Sequence, residues 1–284
     1  MGRISTGWAL TKQSWAVLKN DRSLVIFPIL SAVFASIAVV VIMVPAAFAD
    51  AMVQGGANNQ EGIIAAVGAA VTIYVSTFFA IFFNVALAAC AARSLRGEDT
   101  KVGEGISAAM RQLGPILGWT VVAGTVGVIL RVLENRLPLL GQIATAIAGA
   151  AWSVATFFVV PVIAMEGTGP FASLKRSVQV IKAKWGEGAT GQIAISAATG
   201  LIVFAIVFGG GGIAAALVAI KLQPVAIAVG VVTVAAVIIV AVVSSAMNSI
   251  FRVAVYQYAI TGQTPVAFDP QLVQATFGAR GRRA

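Results

Sequence analysis

Six long apolar stretches alternate with short segments that mix apolar and basic positions at helical spacing. The apolar stretches run Leu24–Ala49, Ile63–Ala92, Gly114–Leu133, Leu139–Met165, Ala189–Ile220 and Pro224–Ala259. Each is close to or above the roughly 20 helical residues that cross a hydrocarbon core. This pattern predicts an all-α, polytopic bundle of six transmembrane helices. The second span, longer than the core requires, is expected to tilt or project. Ala47-Phe48-Ala49 before Asp50 has the look of a signal-peptidase site, but the apolar core before it exceeds the roughly 7 to 15 residues of a cleavable signal, so the first stretch is read as a retained span.

The mixed segments precede the spans in pairs. Ile4 to Asn20 places Ile4, Trp8, Trp15 and Leu18 on one face, and the next such segment gathers Val102, Ile106, Ala109, Met110 and Leu113. The clearest is FASLKRSVQVIKAKWGEG, Phe171 to Gly188, where Phe171, Leu174, Val178, Ile181 and Trp185 form a stripe and Lys175, Arg176, Gln179 and Lys182 face away. Thr168-Gly169-Pro170 supplies its start, because proline suits the first helical turn. Three amphipathic helices on the cytoplasmic side are predicted, with Trp at headgroup depth. A fourth short helix is expected after the Asp269-Pro270 cap, with Leu272, Val273, Thr276 and Phe277 before a basic tail.

Within one integral membrane domain, residues 1–284, this order suggests a three-fold repeat of amphipathic helix and hairpin: units 1–98, 99–166 and 167–265, with a cytoplasmic tail at 266–284. Superposing SWAVLKNDRS on SVQVIKAKWG matches Ser14 with Ser177, Leu18 with Ile181 and Lys19 with Lys182, and Arg111 falls at a comparable point in the middle unit. The competing account is that positive-inside bias alone spaces the basic residues so regularly.

Composition fits the pattern. Of 284 residues, 59% are hydrophobic and 10% charged, against about a quarter charged in soluble domains. The net charge of +9 does not point to nucleic acid, since the basic residues sit at span ends rather than on a soluble face. Alternating six spans leaves only Arg131, Arg136 and Lys221 on the far side of the 19 basic residues. Both termini are therefore expected in the cytoplasm, in a prokaryotic cytoplasmic membrane.

Candidate chemistry is sparse. The chain has no histidine and one cysteine, Cys90, which excludes Ser-His and Cys-His nucleophiles, imidazole zinc sites and intrachain disulfides. Neither phosphate-cradling nor dinucleotide motifs occur, and paired intramembrane aspartates are missing. The expectation is a non-enzymatic protein with no catalytic, cofactor or metal residues. Asp50, Glu61, Glu134 and Glu166 fall at span boundaries or loops, where charge is cheap.

Lys175, Arg176, Lys182 and Lys184 are the candidates for anionic lipid headgroups. Asn84 and Asn248, both in cytoplasmic halves of spans, either hydrogen-bond between helices, the preferred reading, or line a polar cavity. Arg252 is expected to snorkel to headgroups or to pair with Glu166 or Asp269. Four consecutive glycines, Gly209, Gly210, Gly211 and Gly212, each weaken a helix by about 1 kcal/mol relative to alanine and predict a break or hinge in span five. Whether the run gates a motion or permits close packing stays open, as does the packing role of the Gly114/Gly118 pair.

The segments GWALTKQSWAVLKNDRSLVIFPIL, VGEGISAAMRQLGPILGW, GPFASLKRSVQVIKAKWG and FRVAVYQYAITGQTPVAFDP carry a resemblance across nearly the whole chain. It resembles the uncharacterised six-span membrane proteins of bacteria and archaea, broadly like the membrane domain attached to some glycerophosphodiester phosphodiesterases. The resemblance implies a helical membrane fold and brings no catalytic residues. Without the soluble phosphodiesterase barrel, that activity is not implied. The expected role is a membrane scaffold or lipid-interacting subunit, with anionic lipids as partners, protein partners or a homo-oligomer beside them, and no nucleic acid. The alternative is a transporter or channel component with a polar path between helices.

Overall fold

The computed structural model of the chain describes residues 3–53, 63–136, 139–184 and 189–263, which are helical almost throughout and contain no strand. The helices are α1 (Arg3–Asn20), α2 (Ser23–Val53), α3 (Ile63–Ser94), α4 (Val102–Arg111), α5 (Leu113–Arg136), α6 (Leu139–Ala155), α7 (Val159–Glu166), α8 (Pro170–Lys184), α9 (Ala189–Ala219) and α10 (Gln223–Thr261). Six membrane-length apolar helices result, with α6 and α7 together making the fourth. The fold is an all-α membrane bundle. The short helix expected after Asp269 and the basic tail lie outside the described residues.

Two spans differ from the sequence expectation. Span four is not one helix, because Pro161 has no N–H to offer the Phe157 carbonyl and its ring crowds that group. The helix breaks over 156–158. Span five, in contrast, does not break at its glycines: α9 runs unbroken through Gly209–Gly212. At Gly210 an added Cβ would lie 2.1 Å from Thr233 Oγ1 of α10, so this glycine permits close helix contact rather than hinging. Glycine's propensity cost is about 1 kcal/mol per residue, which the packing of α9 along α10 overrides. Of the other glycine pair, Gly118 packs on the Pro170 ring and Gly114 meets nothing.

The buried core gathers at one end. Ile81 to Leu95 of α3, Val159 to Ile163 of α7 and Ala246 to Tyr256 of α10 bury most of their side chains there. Phe27 of α2 and Trp119 of α5 join them. This is the end at which Arg93, Arg96, Arg111, Lys175, Arg176 and Lys182 reside, here called the basic end. Toward the opposite end, Leu201, Phe208, Ile227 and Val232 are exposed apolar side chains, as lipid-facing positions are.

The short helices hold the basic end together in a cyclic order. Helix α1 packs on α9 and α10, α4 on α3 and α2, and α8 on α7, α5 and α6. Helices α4 and α8 thus each brace the pair of spans that precedes them in the chain, and α1 braces the last pair.

Helix α8 sits on the break in span four, and this sets which face it buries. Its predicted apolar stripe is only partly the inner face: Ile181 is buried and Leu174 packs against the core, but Phe171 is 72% exposed, and Ser173 and Ser177, outside the stripe, are fully buried beside Val180. The reason is local. With the helix broken, the Phe158 N–H donates instead to Ser177 Oγ at 3.1 Å, and the Ser177 hydroxyl donates to Ala155 O at 2.7 Å. A serine facing inward satisfies both orphaned groups; a phenylalanine satisfies neither. Ser14, at the matching register of α1, is also fully buried, and its hydroxyl has no hydrogen-bond partner among the described residues. Ser177→Ala is expected to destabilise the protein by about 1–3 kcal/mol by leaving buried backbone groups unpaired. Thermal unfolding beside the exposed-site control Gln179→Ala measures this, and equal melting of the two variants contradicts it.

Candidate functional site

Where the three inner helices α3, α7 and α10 meet, a cavity of about 450 Å³ opens, bordered also by α9. Asn84 and Asn248 both line it, with Thr199, Ser244, Ser245 and Ser249, so the two asparagines share one polar space. The Asn84 amide donates to Ala80 O of its own helix at 2.8 Å, and the Thr199 and Ser244 hydroxyls lie 2.7 Å apart, linking α9 to α10. A second cavity, about 230 Å³, lies on the other side of the α3–α10 seam among Phe27, Pro28 and Ser31; Asn84, Ala241 and Ser245 border both.

Arg252 belongs to the larger cavity. Its guanidinium carbon lies 4.8 Å from the centroid of the Phe157 ring, and its Nε is buried without a hydrogen-bond partner. The pairing with Glu166 does not form, for that carboxylate is committed elsewhere. Asp269 lies outside the described residues.

Glu166 closes α7 and ties three helices. Its Oε1 accepts from Arg176 Nε of α8 at 3.0 Å and from the hydroxyl of Tyr256, a fully buried residue of α10. Gly167, at a φ of +64°, ends α7 immediately afterwards and turns the chain into α8. Arg176 is thus an internal tie rather than a free headgroup ligand. Lys175 and Lys182 project from α8 and are exposed, while the Lys184 side chain lies outside the described residues.

Two further clasps sit at the basic end. Asp21, in the turn between α1 and α2, accepts from Ser23 N at 3.2 Å and from the Thr100 hydroxyl at 2.5 Å, fastening the first unit to the loop before α4. Arg93 bridges Glu98 at 2.8 Å and Glu104 at 2.5 Å, and Arg96 adds a contact to Glu98 at 2.9 Å. The hydrogen bond from Arg93, then that from Arg96, holds the Glu98 carboxyl below its ordinary range. A wide cleft of about 570 Å³ beside this clasp is lined by Arg93, Glu104, Arg111 and Gln112.

The asparagines and Arg252 were readable from sequence as polar residues within apolar spans. Ser177, Tyr256 and Thr100 were not, being ordinary hydroxyls whose roles depend on a distant partner. Pro161 within a membrane-length run was the available signal for the break that gives Ser177 its work. No group of His, Cys, Asp or Glu suited to holding a metal ion occurs among the described residues.

Residues 65–266 match the model of a family of unknown function, DUF6159. No curated protein and no solved structure matches the chain.

Proposed function

We propose that this chain, which belongs to the DUF6159 family of unknown function, is a non-enzymatic multi-pass protein of a prokaryotic cytoplasmic membrane whose basic end engages the anionic leaflet. The observation that carries the reading is the outer face of α8. Lys175 and Lys182 are exposed at the end where the three hairpins are braced together. Each basic residue at an anionic surface contributes about 1 kcal/mol of attraction.

Lys175→Gln combined with Lys182→Gln tests this, because neither side chain takes part in the Glu166 tie. The ratio of phosphatidylglycerol to phosphatidylcholine retained by the purified protein is expected to fall, by about fivefold per lysine. An unchanged ratio defeats the proposal.

A second reading, a transporter or channel component, draws on the two cavities that share Asn84, Ala241 and Ser245 across the α3–α10 seam. Solute flux through reconstituted protein that responds to Asn84→Leu supports it. Tight vesicles under every solute gradient tried count against it.

A further inference from the structure

We infer that the cavity at the meeting of α3, α7, α9 and α10 is a binding site for a phosphate-type oxyanion, with Arg252 as its charged anchor. Among the described residues the cavity wall contributes one cation and no carboxylate: Arg252 with Asn84, Asn248, Thr199, Ser244 and Ser245. Arg252 is half-buried with its Nε shut off from water, and a guanidinium drawn out of water is destabilised unless a counter-charge and hydrogen bonds replace the solvent. The Phe157 ring is a cation–π partner but supplies no counter-charge. No described carboxylate pairs with Arg252, and its Nε remains buried and unpartnered.

The anion is thus the missing member. Guanidinium N–H groups match phosphate oxygens in a planar fork, and the hydroxyl and amide groups around the wall are neutral and bring no competing charge. At about 450 Å³ the space falls within the roughly 300–1,000 Å³ of small-molecule sites.

Depth points to the source. Counted from the turn at Lys221–Leu222, Ser244 lies about 33 Å along α10 and Arg252 about 45 Å, at 1.5 Å per residue. With the turn at the far edge of a bilayer of about 40–45 Å including both headgroup layers, Arg252 falls in the headgroup layer of the basic end. Phospholipid phosphate is favoured over free phosphate, and the two share the recognition chemistry. The site is separate from the exposed lysines of α8, so either idea stands or falls without the other.

The test uses the purified full chain, with dioctanoyl phosphatidylglycerol, phosphate-free dioctanoylglycerol and inorganic phosphate as probes, binding being read by native mass spectrometry and thermal shift. Wild type is expected to hold one phosphatidylglycerol in preference to dioctanoylglycerol. Arg252→Gln is expected to weaken it at least about tenfold, as the loss of charge-assisted hydrogen bonds implies, whereas Lys175→Gln with Lys182→Gln leaves that one site occupied. Inorganic phosphate binding with the same dependence on Arg252 identifies a free-anion site instead and still supports the assignment. Asn84→Leu with Ser245→Ala, which spares the charge, provides a second reading of the wall if Arg252→Gln does not fold, with a loss of about threefold or more expected. Dioctanoylglycerol bound as tightly as phosphatidylglycerol overturns the proposal, as does affinity unchanged in the folded variants.

Discussion

Gly105→Val is expected to release α4 from the bundle and lower stability by about 3 kcal/mol, at the upper end of overpacking costs. At this residue α4 presses on α3 so closely that an added Cβ would lie 2.5 Å from Phe27 Cζ, 2.7 Å from Cys90 Sγ and 2.9 Å from Ala86 O. Phe27 is itself fully buried, and the Ala86 carbonyl is backbone within a helix, so neither yields readily. Larger side chains therefore push the whole helix away. Cys90, buried under this contact and the chain's one cysteine, reports the displacement. Maleimide labelling of Cys90 in folded protein should accelerate in Gly105→Val, together with a lower melting temperature. Slow labelling and an unshifted melt rule out close α3–α4 packing at this point.

Glu166→Ala is expected to cost about 2–3 kcal/mol, most of it at Tyr256. That phenol is fully buried, and without the carboxylate its hydroxyl has lost its acceptor. The ion pair with Arg176 contributes less, since the Arg176 side chain is 41% exposed and solvent screens the contact. Glu166→Gln, which keeps an acceptor for the phenol and removes the charge, should cost about half as much. Combining Glu166→Ala with Tyr256→Phe should recover much of the loss, because removing both members of a buried pair leaves no group unsatisfied. Melting temperatures of the four proteins decide this. A double variant no more stable than Glu166→Ala assigns the loss to the Arg176 contact instead.

These two positions show why a sequence reading stops where it does. Apolar length and charge interruption are local quantities, so the spans emerge within a few residues of their helical ends. What Gly105 and Glu166 do is not local. A glycine in VGEGISAAMR resembles any other helix-weakening residue until α3 lies against it. Glu166 reads as a solvated boundary carboxylate until α8 and α10 bring Arg176 and Tyr256 to it.

The same distinction explains the reversed expectations. Single-helix propensity places a break at Gly209–Gly212 and none in span four. Tertiary packing keeps α9 continuous along α10, where Gly210 admits Thr233, whereas in span four the hydrogen bond that Pro161 removes accompanies a turn over 156–158 that Ser177 of α8 satisfies; Pro28 and Pro45, without such a turn, leave α2 unbroken. Sequence periodicity groups Phe171 with Leu174 and Ile181 on one stripe of α8 because it counts apolarity. The structure turns Ser173 and Ser177 inward because the surface beneath is a broken helix with backbone groups to satisfy.

Sequence alone thus determined the all-α membrane class, the six spans, the grouping of charge at one end and the few polar residues, Asn84, Asn248 and Arg252, placed in apolar runs. These follow from the cost of exposing polar backbone and charge to hydrocarbon, which acts residue by residue. Tertiary structure alone decided that α1 packs on α9 and α10, α4 on α3 and α8 on α7, that Arg176 is held by Glu166, and that the two asparagines border one cavity with Arg252. Those facts depend on which surfaces meet across long sequence separations, and no periodicity along the chain encodes that.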